Sequence, residues 1–175
     1  MKHWRIETYT GNLNNEQQER VKELIDTLRL QDRKEISCYA NDAAEEIIQT
    51  QKMSEACYMV LGGTKETHPL VFYGRIKHES FDGRVIWCVG TKYLEPFTRD
   101  FAAVSRRILG GWVRKYRMLF NAVAEFNTPA IRWLEWCGAE FGDEFEQGGE
   151  KFIRFWIRER RNGECVLSQQ ASQEL

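Results

Sequence analysis

The order of local patterns along this chain predicts an α/β fold, a mixed sheet of six or seven strands with helices on both faces. Three observations carry the prediction. The chain has 175 residues, 42% hydrophobic and 29% charged, the balance of one compact domain. Apolar runs of strand length lie in its middle, between segments of helical period. Gly, Pro, Asn and Asp fall between the two kinds of segment and punctuate them.

Charge and cysteine usage exclude several function classes. With 25 Lys+Arg against 26 Asp+Glu the net charge is -1, which gives no overall field for coating nucleic acid or an anionic membrane. No run approaches the roughly 18 to 20 apolar residues of a membrane span. The start, Met1-Lys2-His3-Trp4-Arg5, leads into polar sequence rather than a signal core. An intracellular or packaged protein is expected. Cys38, Cys57, Cys88, Cys137 and Cys165 are an odd set without CxxC spacing, so reduced and mostly buried thiols are expected. His3, His68 and His78 are not paired at i,i+4, and no metal site is expected.

The elements follow in order. Residues 1–20 read as an N-terminal arm: Trp4 to Thr10 alternates and can add an edge strand, residues 11–15 are turn-like, and Glu16 to Arg20 is charged. Val21, Leu24, Ile25, Leu28 and Leu30 fit a helix leading into a strand or a strand alone. Asp32 is a candidate N-cap for a helix over Arg33 to Tyr39, and Asn41 for another over Asp42 to Gln51. Strands are expected at Ala56 to Leu61, Leu70 to Ile76 and Val85 to Val89, with Gly62-Gly63 and Asp82-Gly83 as turns. In the third strand Val85, Trp87 and Val89 alternate with Ile86 and Cys88, so both faces are apolar and the strand belongs centrally.

Arg99 to Tyr116 reads as an amphipathic helix with Phe101, Val104, Ile108, Trp112 and Val113 on its apolar stripe. Gly110-Gly111 should weaken it by about 1 kcal/mol per glycine relative to alanine. Met118 to Phe126 is a strand, Thr128 to Cys137 a helix with Pro129 in its first turn and Gly138 as its stop, and Lys151 to Arg158 a closing strand. Residues 162–175, rich in Gln and Ser, are expected to form a polar mobile tail.

Within this order, Asn127-Thr128-Pro129-Ala130-Ile131-Arg132-Trp133-Leu134-Glu135-Trp136-Cys137-Gly138 resembles the fourth helix of the GNAT fold, the Gcn5-related N-acetyltransferase architecture. There the pattern is Asn-x-x-Ala-Ile, an aromatic position, then Gly-Phe. Leu28-Arg29-x-x-Asp32-Arg33-x-Glu35-Ile36 resembles the opening of that fold. The resemblance makes residues 21–161 a GNAT-like domain. A narrower resemblance is to a family of small bacteriophage GNAT-fold proteins that includes the internal virion protein of short-tailed phages. It is carried by Leu28 to Ile36, by Trp87-Cys88-Val89-Gly90-Thr91, and by Ala130 to Trp136 followed by Gly138.

The GNAT resemblance implies a way of holding acyl-CoA. Two parallel strands splay, and amides of a Gln/Arg-x-x-Gly-x-Gly/Ala loop at a helix N-terminus hold the pyrophosphate. The corresponding residues are Val89, Gly90, Thr91, Lys92 and Arg99, with Asn127 at the position that can bond the pantetheine arm. Asn127 reads equally as the N-cap of the helix from Thr128. The loop departs from the pattern: it has one glycine, Pro96 lacks an amide proton, and Glu95 and Asp100 are anionic. Leu134 stands where many such enzymes place a tyrosine acid, leaving Tyr93 and Tyr116 as candidate proton donors.

Taken together these readings lead to a phage GNAT-fold structural or interaction protein, in the virion or the host cytoplasm, with phage virion or host proteins as partners and no cofactor. The alternative is an acyl-CoA-dependent N-acyltransferase with a divergent pyrophosphate loop, using acetyl-CoA or another acyl-CoA on a host or phage protein.

Overall fold

The computed structural model describes residues 2–80 and 82–159, so the tail expected over 162–175 lies outside the described residues. The chain forms a mixed seven-stranded sheet in the order β1-β2-β3-β4-β5-β7-β6. The strands are β1 His3–Thr8, β2 Ala56–Gly63, β3 His68–Lys77, β4 Arg84–Gly90, β5 Met118–Ala124, β6 Glu140–Gln147 and β7 Glu150–Arg158. The helices are α1 Asn15–Asp26, α2 Leu30–Ser37, α3 Ala43–Met53, α4 Thr98–Tyr116 and α5 Thr128–Trp136, with a 3-10 helix at Lys92–Phe97. As the alternation of its residues predicts, β4 is the fourth strand of seven. The chain divides into two compact units, Met1–Lys77 with Ile86–Phe97, and His78–Val85 with Thr98 onward.

In the first unit, β1, β2 and β3 form an antiparallel meander. The arm does add an edge strand, but its charged second half starts α1, because Asn14 and Gln17 close a capping box. Val21 and Leu24 then face the core from a helix, which settles the ambiguity of that short run. Asp42, not Asn41, caps α3, its carboxylate accepting the Ala44 and Glu45 amides at 2.8 and 3.1 Å. Tyr9, Val21, Leu24, Ile36 and Ile47 pack on Met59, Leu61 and Phe72, with Trp87 and Val89 of β4 against the same cluster. Gly62 and Gly63, expected as a turn, lie inside β2. A Cβ at Gly62 would come within 2.8 Å of Leu70 Cδ1 and 2.9 Å of the His3 carbonyl, so the glycine admits close neighbours rather than bending the chain.

In the second unit, β5 and β7 pair over seven rungs, from Met118↔Arg158 to Ala124↔Phe152. The β6-β7 hairpin turns through Gly148 and Gly149 at φ 60° and 78°, the left-handed backbone that a two-residue type I′ turn requires. Arg84↔Leu119 and Val85↔Phe120 form a short parallel ladder at the start of β4 and β5. The buried stripe of α4 is Ser105, Leu109, Val113 and Tyr116. Of the five residues expected on the stripe only Val113 is buried; Phe101, Val104, Ile108 and Trp112 are half-buried at its side. Trp133 of α5 donates its Nε1 proton to Ser105 Oγ at 2.8 Å and stacks on Phe101 with centroids 5.7 Å apart.

Candidate functional site

The first half of the candidate loop is the end of β4 and the turn into the 3-10 helix, all in the first unit. Strand β4 brings Val89 onto the core, half-buried, and releases the chain at Gly90. From there each backbone amide proton has an acceptor inside the protein. Gly90 donates to Asp32 Oδ2 at 2.7 Å, Thr91 to the Leu70 carbonyl at 3.0 Å, and Lys92 to the Thr27 carbonyl at 2.9 Å. Tyr93 donates to Thr91 Oγ1 at 3.3 Å and Leu94 to the Thr91 carbonyl at 3.1 Å. The Thr91 hydroxyl is committed as well, donating to the Pro69 carbonyl at 2.7 Å with the residue fully buried. Gly90 to Leu94 therefore present no ready amide cradle, because an anion arriving there would have to displace existing bonds.

Two residues of the α1-α2 junction make this arrangement. Asp32 is not an N-cap: it lies inside α2, buried, and holds Arg29 with both carboxylate oxygens at 2.9 and 3.0 Å. The Arg29 amide also donates to the Gly90 carbonyl at 3.0 Å. A Cβ at position 90 would lie 2.9 Å from Arg29 Nε, so a larger residue there would have to push the Arg29 side chain aside from its Asp32 pairing.

Beside the turn, Tyr93 stacks on His68 with centroids 4.1 Å apart and planes at 15°. His68 Nδ1 is 2.7 Å from Glu23 Oε1, and Glu23 is also paired with Arg20 at 3.2 Å. His68 Nε2 lies 3.8 Å from Glu66 Oε2, so the ring stands between two carboxylates. Lys92 is exposed, its Nζ 5.2 Å from the Tyr93 ring centroid. Sequence reasoning named Gly90 and Tyr93 but missed Arg29 and Asp32 as the supports of Gly90 and His68 and Glu23 as those of Tyr93.

The remaining candidates belong to the second unit. Arg99 and Asp100 are exposed in the first turn of α4. Tyr116 is buried near the helix end, with the Arg84 guanidinium 4.1 Å from its ring centroid. Asn127 is buried and stands at the N-cap position of α5, its carbonyl accepting the Ile131 amide proton at 3.1 Å, but its side chain makes no capping bond. Leu134 is buried in the α5 core face. The structure thus gathers Val89, Gly90, Thr91, Lys92 and Tyr93 in one unit, with Arg99, Tyr116 and Asn127 in the other.

Comparison with known proteins bears on the fold. No protein-family model and no curated protein matches the sequence. Among solved structures, the chain is similar to the ribosomal-protein-S18-alanine N-acetyltransferase of Escherichia coli, with TM-score 0.60 and 10% identity over 89% of this chain and 94% of that one. It is similar to the spermidine N-acetyltransferase of Vibrio cholerae in complex with CoA and spermine, with TM-score 0.60 and 13% identity over 89% and 95%. A Bacillus subtilis acetyltransferase in complex with CoA gives TM-score 0.55 and 11% identity over 89% and 99%. At such identities the likeness is one of architecture, and the chain has the GNAT N-acetyltransferase fold.

Proposed function

We propose that this protein is an acyl-CoA-dependent N-acyltransferase. The observation that supports this most is the extent of the structural match: about nine-tenths of the chain aligns with nearly all of several N-acetyltransferases, two of them in complex with CoA. In this reading each unit keeps its own candidate contacts for acyl-CoA, the Val89 backbone and the Lys92 side chain in the first, Arg99 and Asn127 in the second. The phosphates fall to side chains rather than to the loop, because the amides of Gly90 to Leu94 are already bonded. Tyr93 and Tyr116 remain as acids for the departing thiolate, which Leu134 cannot serve. Side chains lose rotamer freedom when they replace fixed amides, so affinity should be modest and salt-sensitive.

Titration calorimetry with acetyl-CoA tests this reading. Heat of binding that falls with added salt, and falls again in Lys92→Ala and Arg99→Ala, is expected, followed by CoA release in the presence of amine or peptide acceptors. Absence of binding at millimolar acetyl-CoA would sink the enzyme reading. A second reading is then favoured by the committed loop amides and by Leu134: a GNAT-fold structural or interaction protein of the phage family, carried in the virion or acting in the host cytoplasm. Its signature would be co-purification with phage particles or a host protein without CoA chemistry.

A further inference from the structure

We propose that the outer edge of β1 is a self-pairing surface, joining two copies of this chain antiparallel through a twofold axis at Ile6. β1 is the first strand of the sheet, and its six rungs with β2 run without a break from His3↔Gly63 to Thr8↔Tyr58. The next residue continues that register, the Tyr9 amide donating to the Cys57 carbonyl at 2.8 Å. In an antiparallel ladder bonded and non-bonded positions alternate. Glu7, Arg5 and His3 therefore turn their amides and carbonyls toward β2, as Tyr9 does its amide, while Thr8, Ile6 and Trp4 turn theirs outward; the Tyr9 carbonyl accepts from Gln51 Nε2 at 2.8 Å instead. Gln17 confirms the parity, since its Nε2 reaches the Thr8 carbonyl from outside at 3.0 Å. Among the described residues, no other strand pairs with this edge.

Arg5 and Glu7 are the charged guards of this edge against self-association. The edge has no proline and no bulge, and its charges are not of one sign. Two large apolar side chains, Trp4 at 40% and Ile6 at 36% exposure, stand on one face of it. On the other face Arg5 and Glu7 sit two residues apart, exposed enough to bond one another at 2.6 Å.

Charge then chooses the occupant and the register. Pairing that uses the outward positions can set Ile6 opposite Trp4, Ile6 or Thr8 of a second copy. The first of these places Arg5 against Arg5 and the last places Glu7 against Glu7, and like charges directly opposite destabilise a sheet. Only Ile6 opposite Ile6 sets each Arg5 against the Glu7 of the second copy. Those pairs lie at the non-bonded rungs, where side chains come closest. The same register aligns Trp4 with Thr8 of the second copy, so that the Thr8 carbonyl accepts the Trp4 amide beside or in place of Gln17 Nε2, and it brings both Trp4 and both Ile6 side chains together on one face.

Sedimentation equilibrium of the full chain tests the proposal. The wild type should sediment at twice the 20.7 kDa of one chain, and Ile6→Lys should return it to the single-chain mass. Arg5→Glu alone and Glu7→Arg alone should each weaken association at least tenfold. Their equimolar mixture, and the double variant Arg5→Glu/Glu7→Arg, should restore it. All variants should keep the wild-type circular dichroism, since Arg5 and Ile6 are exposed and Glu7 is only half-buried. A wild type that stays at the single-chain mass at the highest soluble concentration overturns the proposal, as do dimers insensitive to these substitutions. Dimers lost in both single variants and not restored in the mixture overturn the register.

Discussion

The Asp32 carboxylate accepts the amide proton of Gly90 at 2.7 Å across 58 residues of chain, while both of its oxygens hold the Arg29 guanidinium. One buried side chain therefore ties the start of α2 to the end of β4, at the point where the candidate cofactor loop begins.

Removing that tie should be costly in a graded way. Asp32→Ala leaves the Gly90 amide without its acceptor and a largely buried guanidinium without its counter-ion, a loss of about 3 kcal/mol. Asp32→Asn keeps a carbonyl oxygen for Gly90 and should lose roughly half as much. Urea unfolding of both variants checks this; equal losses, or a loss under about 1 kcal/mol for the alanine, would remove Asp32 from its place in the fold's stability.

The glycine pair of α4 gives a prediction of opposite sign. A Cβ at Gly111 would meet nothing nearer than Arg114 Nη2 at 4.0 Å, and the backbone there is not left-handed. Gly111→Ala should therefore stabilise the protein by about 0.5 to 1 kcal/mol, through helix propensity and a less entropic unfolded chain. Thermal unfolding would show a rise of a few degrees, and a fall would mean that position 111 is crowded.

Alkaline pH should destabilise the protein progressively above about pH 9. Burial pushes the Cys57 thiol from 9.0 to about 11 and the Cys137 thiol from 9.0 to about 12, and it pushes the Tyr9 phenol from 10.0 to about 12. In the unfolded chain these groups lose protons first, so above pH 9 the unfolded state binds fewer protons and stability falls with pH. The contribution is whole below pH 9 and drains between about pH 9 and 12, each group adding up to about 1.4 kcal/mol per pH unit. Unfolding free energies measured at about pH 8, 9.5 and 10.5 should decline steadily; a flat profile would contradict the burial of these groups.

Much of the fold was legible because its signals are local. Apolar runs marked β2, β3 and β4, alternation of apolar residues on both faces placed β4 centrally, and the GNAT likeness came from the resemblance of residues 127–138 and 28–36, with which the order of the elements agrees. The misreadings share one cause, a residue whose partner is far along the chain. Asp32 looked like a cap because a polar residue stood before a helical pattern, and nothing nearby signalled Gly90. Gly62 looked like a turn because the strand neighbours that require its lack of a side chain, His3 and Leu70, are not adjacent in sequence. Tyr93 and Lys92 could be named from the loop, but the His68 and Glu23 that support Tyr93 come from β3 and α1 and leave no local spacing to find.

The junction that joins residues 27–32 to residues 90–92 also sets when the first unit can assemble during synthesis. At about 5 to 20 residues per second, the ribosome needs roughly 3 to 12 s to add the 58 residues that separate Asp32 from its acceptor partner. Over that interval α1, α2 and α3, of 12, 8 and 11 residues, are too short to hold themselves as helices in water. The Asp32 tie to Gly90 therefore cannot close until β4 leaves the exit tunnel, and for that long Asp32 has no Gly90 amide proton to accept.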